Sequence, residues 1–116
     1  MKPRWTVRLT SSAERDFTQI VAYTAREFGA RQAQTYLRTL SAALEALSGG
    51  PATAGVARRD DIGPGLMSLH VARLGRKGRH FVIFREQCGD DGPVIEVLRL
   101  LHDAMDLARH LPHDEN

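Results

Sequence analysis

The sequence predicts an α+β fold in which a helix hairpin packs on one face of a mostly antiparallel sheet. Near the start, and again after residue 65, short apolar runs have the alternation or the length typical of β-strands. Between these runs, apolar side chains recur three and four positions apart, a spacing typical of amphipathic helices. The order strand, helix, helix, strand, strand, strand indicates a two-layer sandwich, and 116 residues suit a single domain over residues 1–116.

The first strand and the first helix follow each other directly. Residues 5–10 alternate apolar and polar side chains, so they are predicted as a half-buried strand. Ser11 and Glu14 have the spacing of a capping box, which predicts that a helix begins at Ser11. This helix should end at Gly29, because glycine adopts a left-handed cap without steric cost. Its apolar stripe comprises Ala13, Phe17, Ile20, Val21, Thr24 and Phe28.

The second helix begins after so short a joint that the two helices must fold back on each other as an antiparallel hairpin. Gly49, Gly50 and Pro51 should end it. Its stripe, which we expect in the core, comprises Ala33, Tyr36, Leu37, Leu40, Leu44 and Leu47. The residues expected to cover the sheet are Phe17, Ile20, Val21, Leu37, Leu40 and Leu44.

The C-terminal half is predicted to supply three strands after an irregular stretch over residues 51–65. Residues 66–73 alternate, while residues 80–86 and 94–101 are apolar on both faces, as in central strands that are covered on both sides. Glycine-rich turns between these runs predict hairpins. The side chains of the first run that should face the core are Met67, Leu69 and Val71.

Composition excludes several classes of protein and site. No apolar run approaches the ~20 residues of a membrane span, and no apolar signal core follows the N-terminus, so we expect a cytoplasmic protein without membrane contact. The single cysteine, Cys88, cannot form an internal disulfide. Asp103 and Asp106 follow His102 without the spacing of a metal site. Residues 75–78 open no helix, as a phosphate loop would, so we expect neither metal nor cofactor.

The net charge is only +2, but cations concentrate between residues 58 and 85. Such a patch can contact nucleic acid or an acidic protein, or it can be an ordinary solvated face. Residues 113–116, in contrast, are mildly acidic. The cations of the patch are Arg58, Arg59, Arg73, Arg76, Lys77, Arg79 and Arg85.

Five segments match the pattern of one known family in their order and spacing. Residues 9–17 look like its opening, a strand followed by a capped acidic helix. Residues 20–24 look like the core of its first helix, and residues 28–29 look like its helix joint. Residues 59–69 look like the approach to its second strand. Residues 97–111 look like the ending of one branch and are the most specific segment. The sequence thus resembles the ParE/RelE toxin superfamily, and its ending resembles ParE.

The resemblance implies the RelE/ParE fold and the toxin half of a type II toxin–antitoxin module, held inactive by its antitoxin. ParE-like toxins are described as inhibiting DNA gyrase, whereas RelE-like relatives cut messenger RNA in the ribosome, and the fold alone does not choose between them. The ParE-like ending favours gyrase as the target. It implies a ParD-like antitoxin, small and acidic with a DNA-binding N-terminal half, in a hetero-oligomeric complex. An inactive relative that only binds its antitoxin is a further alternative.

A RelE-like endoribonuclease would need a base, an acid and cations around the scissile phosphate. Relatives of that kind tend to carry a tyrosine or histidine near the C-terminus, whereas Tyr23 and Tyr36 both fall in the helix hairpin. Histidine suits both proton-transfer roles at neutral pH, which leaves His102 as the main candidate. The catalytic residues under this alternative are His102, Arg79 and Arg85, with His70 and His80 as helpers. Under the ParE alternative we expect no catalytic residue.

Under the gyrase hypothesis, the basic face of the sheet and the C-terminal segment contact the target. Arg99 lies among apolar neighbours, so it needs either a carboxylate partner inside the fold or a place on the exposed face. The register that decides between them cannot be read from the sequence. The predicted target-binding residues are Arg73, Arg79, Arg85, Arg99, His102, Met105, Asp106 and Arg109.

Overall fold

A computed structural model describes residues 4–110, with the backbone alone at Leu74, Ala108 and His110. Residues 111–116, including the acidic end predicted from the sequence, lie outside the described part. The elements are β1 (Thr6–Leu9), α1 (Ser11–Phe28), α2 (Ala30–Ala46), β2 (Ala57–Arg58), β3 (Met67–His70), β4 (His80–Gly89) and β5 (Gly92–His102), with 3₁₀ turns at Leu47–Gly49, Val71–Leu74 and Leu107–His110.

The strands form one mixed sheet in the order β1-β5-β4-β3-β2. β1 runs parallel to β5, and the other neighbouring pairs are antiparallel. The two helices contact each other, and one core cluster joins them to the same face of the sheet. The predicted α+β architecture is confirmed. Within residues 4–110, no helix is both long enough and apolar enough to cross a membrane.

The strand β2 is an element that the sequence pattern does not predict. It lies inside the stretch expected to be irregular, and it pairs Ala57 with Ser68 and Arg58 with Met67. Both of its residues are exposed, so there is no apolar alternation to reveal it. Its effect is to cover part of the outer edge of β3.

The residue that caps the start of α1 is Thr10, one position before Ser11, the cap that the sequence predicts. The Thr10 hydroxyl, rather than that of Ser11, accepts the N–H of Ala13 at 3.1 Å. The same hydroxyl donates to the carbonyl of Leu98 at 3.0 Å, so the cap also fastens the helix start to β5. The predicted end of the helix at Gly29 is confirmed, but with φ at +95° and ψ at 166° this glycine does not adopt the predicted left-handed cap. Its positive φ still favours glycine at this position.

The main core lies between the helices and the sheet, and the prediction for Leu40, which is fully buried, is confirmed. The prediction that Leu37 and Phe28 belong to it is wrong, because they are 41% and 66% exposed. Leu37 lies about 60° around the helix from Leu40, and Phe28 is the last residue of α1. The partly buried apolar residues that pack against this core include Phe17, Ile20, Val21, Tyr36 and Leu44.

A smaller cluster covers the opposite face of β4 and β5. Ile83 and Leu101 meet Leu66 from the loop before β3 and Leu107 from the C-terminal 3₁₀ turn. Val82, the neighbour of Ile83 on β4, belongs instead to the core cluster on the helix side of the sheet. Burial on both faces explains why these two strands have continuous apolar runs, as the sequence indicates.

A β-bulge divides β5 at the point where its faces exchange. Phe84 pairs with Val97, and Ile83 pairs with Arg99, which leaves Leu98 as the additional residue on β5. Val97 and Leu100 therefore both reach the helix-side core despite being three residues apart. Strict alternation of one residue per face therefore does not hold along the whole of β5.

We predict that Leu40→Ala lowers the free energy of unfolding by about 2–5 kcal/mol, because it leaves a cavity in the main core. The matched control, Leu37→Ala on the exposed side of the same helix, should cost less than about 1 kcal/mol. Urea unfolding of the two purified variants measures both values. Equal losses would contradict the assignment of the buried helix face.

Candidate functional site

Three histidines meet at one end of the sheet. His70 is the last residue of β3, His80 is the first of β4, and His102 is the last of β5. Because these strands alternate in direction, their respective ends adjoin, and His80 pairs directly with His102. The two rings are 5.3 Å apart and nearly perpendicular. The structure therefore brings together the three histidines put forward as proton-transfer groups.

Tyr36 of α2 joins this cluster. Its hydroxyl lies 2.6 Å from Nδ1 of His80, and it accepts the backbone N–H of Arg79 at 3.1 Å. The sequence analysis assigns Tyr36 only to the core. Its ring does pack against the core, but the hydroxyl is a polar group that must find a partner when it is half-buried, and the strand end supplies one.

The carboxylate of Asp103, directly after β5, links the cluster to the end of β3 and to the start of β4. One oxygen accepts from Nε2 of His70 at 2.8 Å, and both accept from Nε of Arg79 at 3.0 and 3.1 Å. The hydrogen bond from His70, followed by that from Arg79, holds the pKa of Asp103 below its ordinary value. Asp103 is therefore a carboxylate, and thus an acceptor, at neutral pH.

The hydrogen bonds fix the tautomer of each imidazole. Nδ1 of His70 and Nδ1 of His102 each accept the backbone N–H of the residue two positions further on, at 3.1 Å in both cases. Because the Tyr36 hydroxyl already accepts from Arg79, its own proton is available for Nδ1 of His80. We therefore assign a proton on Nε2 to all three rings, so that each unprotonated nitrogen has a donor from this chain.

Burial keeps the centre of the cluster uncharged. It lowers the pKa of His80 to about 4, an effect to which the neighbouring His102 adds. Burial also raises the pKa of Tyr36 above its ordinary value. At neutral pH, His80 is a neutral imidazole and Tyr36 a neutral phenol. Within residues 4–110, no group of three histidine, cysteine or carboxylate side chains is arranged to hold a metal ion.

The arginines predicted to share an open sheet face lie in different surroundings. Arg79 is held by Asp103 at the strand end. Arg85 donates from Nε to Glu96 at 2.8 Å, across β4 and β5 on the face opposite the helices. Arg73 is exposed in the 3₁₀ turn after β3. Two of these three arginines thus have carboxylate partners, whereas Arg73 has no ion pair among the described residues.

Arg99 has the internal carboxylate partner that the sequence analysis left open. Its Nε and Nη2 donate to the two oxygens of Asp16 at 2.7 and 3.0 Å. Asp16 also accepts the backbone N–H of Leu100 at 2.9 Å. Since β1 ends at Leu9, this carboxylate covers the edge of β5 that β1 leaves open. Contact between Arg99 and a target stays a prediction.

The predicted C-terminal contact residues lie on the surface beside a buried anchor. Leu107 is 8% exposed in the smaller core cluster. Met105 is 43% exposed, and Asp106 and Arg109 are also exposed. His102 is partly exposed at the start of this segment. Burial of Leu107 therefore holds this segment on the protein, while the neighbouring Met105, Asp106 and Arg109 stay exposed to solvent.

Two shallow recesses flank Arg59 on the sheet face opposite the helices. One, of about 310 Å³, extends to His70 and Arg73. The other, of about 280 Å³, extends to Met105 and Asp106. The Arg59 guanidinium lies between them, and its polar and aromatic contacts hold it in place. These contacts are two hydrogen bonds to Asp61, one to the Ser68 hydroxyl at 3.4 Å, and a position 5.4 Å above the ring of Phe81.

Comparison with known proteins identifies the family. A model of the "ParE toxin of type II toxin-antitoxin system, parDE" matches residues 7–107. The chain belongs to this toxin family. It is 30% identical over 103 residues to Toxin ParE of Escherichia coli, covering 89% of each protein. It is also 30% identical over 112 residues to Toxin ParE1 of Caulobacter vibrioides, covering 96% of this chain and 99% of the relative. The resemblance read from the sequence is confirmed.

A solved structure supports the fold of this toxin. The "Chromosomal ParDE TA system from P. aeruginosa" contains a chain that superimposes with a TM-score of 0.68. The match covers 87% of this toxin and 98% of that chain. At 18% sequence identity, the comparison shows a shared fold and nothing finer.

Sequence reasoning missed three side chains of the site. Tyr36 has the same helical spacing as its core neighbours, and no pattern in the sequence places it opposite His80. The sequence prediction for Asp103 concerns only metal binding, although a carboxylate directly after a strand-end histidine can bind a cation from the neighbouring strand. Arg59 appears only as a member of the basic patch, and its position beside Phe81 depends on the loop before β3.

Proposed function

We propose that this ParE-family toxin inhibits DNA gyrase by binding to it, without catalysis of its own, after release from its antitoxin in the cytoplasm. Family membership and the ParE-like ending over residues 97–111 support the target. The exposed C-terminal residues Met105, Asp106 and Arg109 are the proposed contacts, together with the exposed Arg73 and the partly exposed His102. Arg79, Arg85 and Arg99 are also proposed to contact the target. Each has a carboxylate partner in this chain, which it would either keep or exchange for a group of the target.

One observation supports binding rather than catalysis. In each of the three histidines, a hydrogen bond from this chain already occupies the ring nitrogen that would have to accept a proton. A nuclease of the RelE kind must remove a proton from a 2′-hydroxyl, and a neutral imidazole accepts a proton only through its unprotonated nitrogen. In His70, His80 and His102 that nitrogen is Nδ1, and each already accepts a hydrogen bond from this chain. The neutral Tyr36 phenol is no substitute, because burial raises its pKa.

The second candidate function is ribosome-dependent cleavage of messenger RNA. It is favoured by the meeting of three histidines and Tyr36 at one strand end, beside Arg79. For this candidate to hold, His102 must exchange its hydrogen bond for one to substrate. A toxin without either activity would be the inactive relative that only binds its antitoxin.

The antitoxin is proposed to place a helix in the groove between α1 and α2. This groove of about 420 Å³ is lined by apolar Leu9, Phe17 and Leu44. The exposed Leu37 lies one helical turn before Ser41 and two turns before Leu44, on the same side of α2. It therefore lengthens the apolar surface along this groove. An apolar strip at such spacing suits the apolar face of an amphipathic helix. The proposed partner is a small acidic ParD-like protein in a hetero-oligomer.

Substitution of Ser41 tests the proposed groove. Ser41 is exposed and lines the groove, so Ser41→Arg should fill it without disturbing the core. We expect this variant to bind the antitoxin encoded by the neighbouring reading frame at least about 10-fold more weakly, because one desolvated clash costs over about 1.4 kcal/mol. Isothermal titration calorimetry measures the loss.

The matched control is Thr35→Arg, which adds the same side chain to an exposed position of α2 about 120° around the helix from Ser41, outside the groove. It should bind like the unmodified toxin. Equal weakening in both variants, or in neither, would count against the groove. A neighbouring frame whose product does not co-purify with the toxin would remove the toxin–antitoxin interpretation itself.

A pair of assays separates the two candidate functions. Purified toxin is added to a gyrase supercoiling reaction and, separately, to translating ribosomes. We expect supercoiling to be inhibited while the messenger RNA stays intact. Messenger RNA cleaved at defined codon positions, with the rate reduced about 10²-fold or more in His102→Ala, would overturn the proposal in favour of a nuclease. Inactivity in both assays would also overturn it.

A further inference from the structure

The connection between β3 and β4 is the most basic segment of the chain. Residues 71–79, here called the basic loop, contain four cations and no carboxylate. Arg79 is paired with Asp103. Arg73, Arg76 and Lys77 are exposed, and within residues 4–110 their side chains have no ion pair. Elsewhere on the described surface, by contrast, several arginines have carboxylate partners, as in the pairs of Arg59 with Asp61 and Arg85 with Glu96.

The histidine cluster gives this loop a defined shape. His70 caps the 3₁₀ turn Val71–Leu74 through Nδ1, and Gly75 ends the turn with φ at +78°. At the other end, the N–H of Arg79 donates to the Tyr36 hydroxyl. Both ends are therefore tied down, which reduces the entropy lost when the loop binds a partner.

Gly78 brings the loop against the body of the protein. A Cβ atom there would collide with Val71, and it would lie 3.0 Å from the ring and the hydroxyl of Tyr36. Only glycine allows so close an approach without displacing these side chains. The loop consequently packs on the cluster at Gly78, while Arg76 and Lys77 beside it point to solvent.

We propose that the basic loop binds the phosphate backbone of duplex DNA through Arg73, Arg76 and Lys77. The histidine and tyrosine cluster then serves to position this loop rather than to move protons. The inference deepens the proposed function and rests on it in one respect, namely that the DNA reached in the cell is the DNA held by gyrase. Binding of the loop to isolated DNA does not depend on gyrase.

The chemistry of the loop favours nucleic acid over a protein partner. Energetically dominant contacts between proteins bury large anchors in well-packed pockets. Residues 71–79 contain neither tryptophan nor tyrosine, which are the aromatic residues enriched among such anchors, and Arg73, Arg76 and Lys77 are exposed rather than buried. Lysine and arginine alone are sufficient to bind phosphates, because they release the counterions condensed on the backbone.

The same chemistry favours duplex DNA over single-stranded RNA. Proteins that select unpaired RNA stack its bases on aromatic side chains. Residues 71–79 contain no aromatic residue. A cationic loop without an aromatic ring of its own suits the regular phosphate spacing of a duplex, and it predicts binding that is independent of base sequence.

The test measures binding of purified toxin to a fluorescent duplex, by anisotropy over a series of salt concentrations. Three phosphate contacts predict a slope of about −2.7 for log K against log salt, which is about a 40-fold loss between about 50 and 200 mM salt. The variant Arg73→Gln/Arg76→Gln/Lys77→Gln should lose most of this slope and bind at least about 10-fold more weakly at low salt. Urea unfolding verifies that the variant is folded.

The matched control removes three exposed cations from the helices instead, as Arg15→Gln/Arg31→Gln/Arg38→Gln. It has the same net charge as the loop variant and should keep the slope and affinity of the unmodified toxin. Equal losses in both variants would overturn the proposal by showing that net charge alone is responsible. Tighter binding of single-stranded RNA than of the duplex through the same loop would overturn it as well.

A gyrase supercoiling assay distinguishes failure of this inference from failure of the proposed function. Toxin that inhibits gyrase but does not bind DNA through the loop would overturn the loop proposal and leave gyrase inhibition standing. Toxin that binds duplex DNA through the loop but does not inhibit gyrase would leave the loop as a DNA-binding element and overturn the proposed target.

Discussion

The carboxylate of Asp103 is the interaction on which the end of the sheet depends. It accepts hydrogen bonds from His70 on β3 and from Arg79 at the approach to β4, while it follows directly on β5. By accepting a hydrogen bond from Nε2–H of His70, it favours the tautomer whose unprotonated Nδ1 caps the turn after β3. The tautomer of one histidine and the shape of the basic loop thus depend on the same negative charge.

Asp16 has a comparable role where the helices meet the sheet. A short parallel strand leaves half of the edge of β5 unpaired, and an open strand edge invites pairing with other chains. Asp16 satisfies Leu100 on this edge and neutralises Arg99 beside it. The two carboxylates together explain how a small sheet tolerates cations near its buried strands. Removing Asp103 would leave Arg79 without its carboxylate partner, and removing Asp16 would leave the N–H of Leu100 without its acceptor.

The fold could be predicted from periodicity, because the two helical stripes and the doubly buried runs of β4 and β5 are strong local signals. The bulge at Leu98 could not, since it depends on pairing between strands and reverses the faces that follow. The environment of Arg99 depends on that bulge and on Asp16, which is distant in sequence. His80 and His102 could be placed at strand ends, whereas His70 falls inside the predicted strand over residues 66–73 and ends β3 only in the structure. Tyr36 reaches the histidines only through the packing of the helices on the sheet.

The assignment of the cluster to positioning rather than proton transfer is tested most directly by ¹⁵N NMR of the imidazoles in purified toxin. We expect His70, His80 and His102 to show the tautomer with the proton on Nε2 at neutral pH, and His80 to stay neutral until the pH falls to about 4. A ring of His102 with its proton on Nδ1 and an open Nε2, or protonation of His80 near pH 6.5, would contradict the assignment.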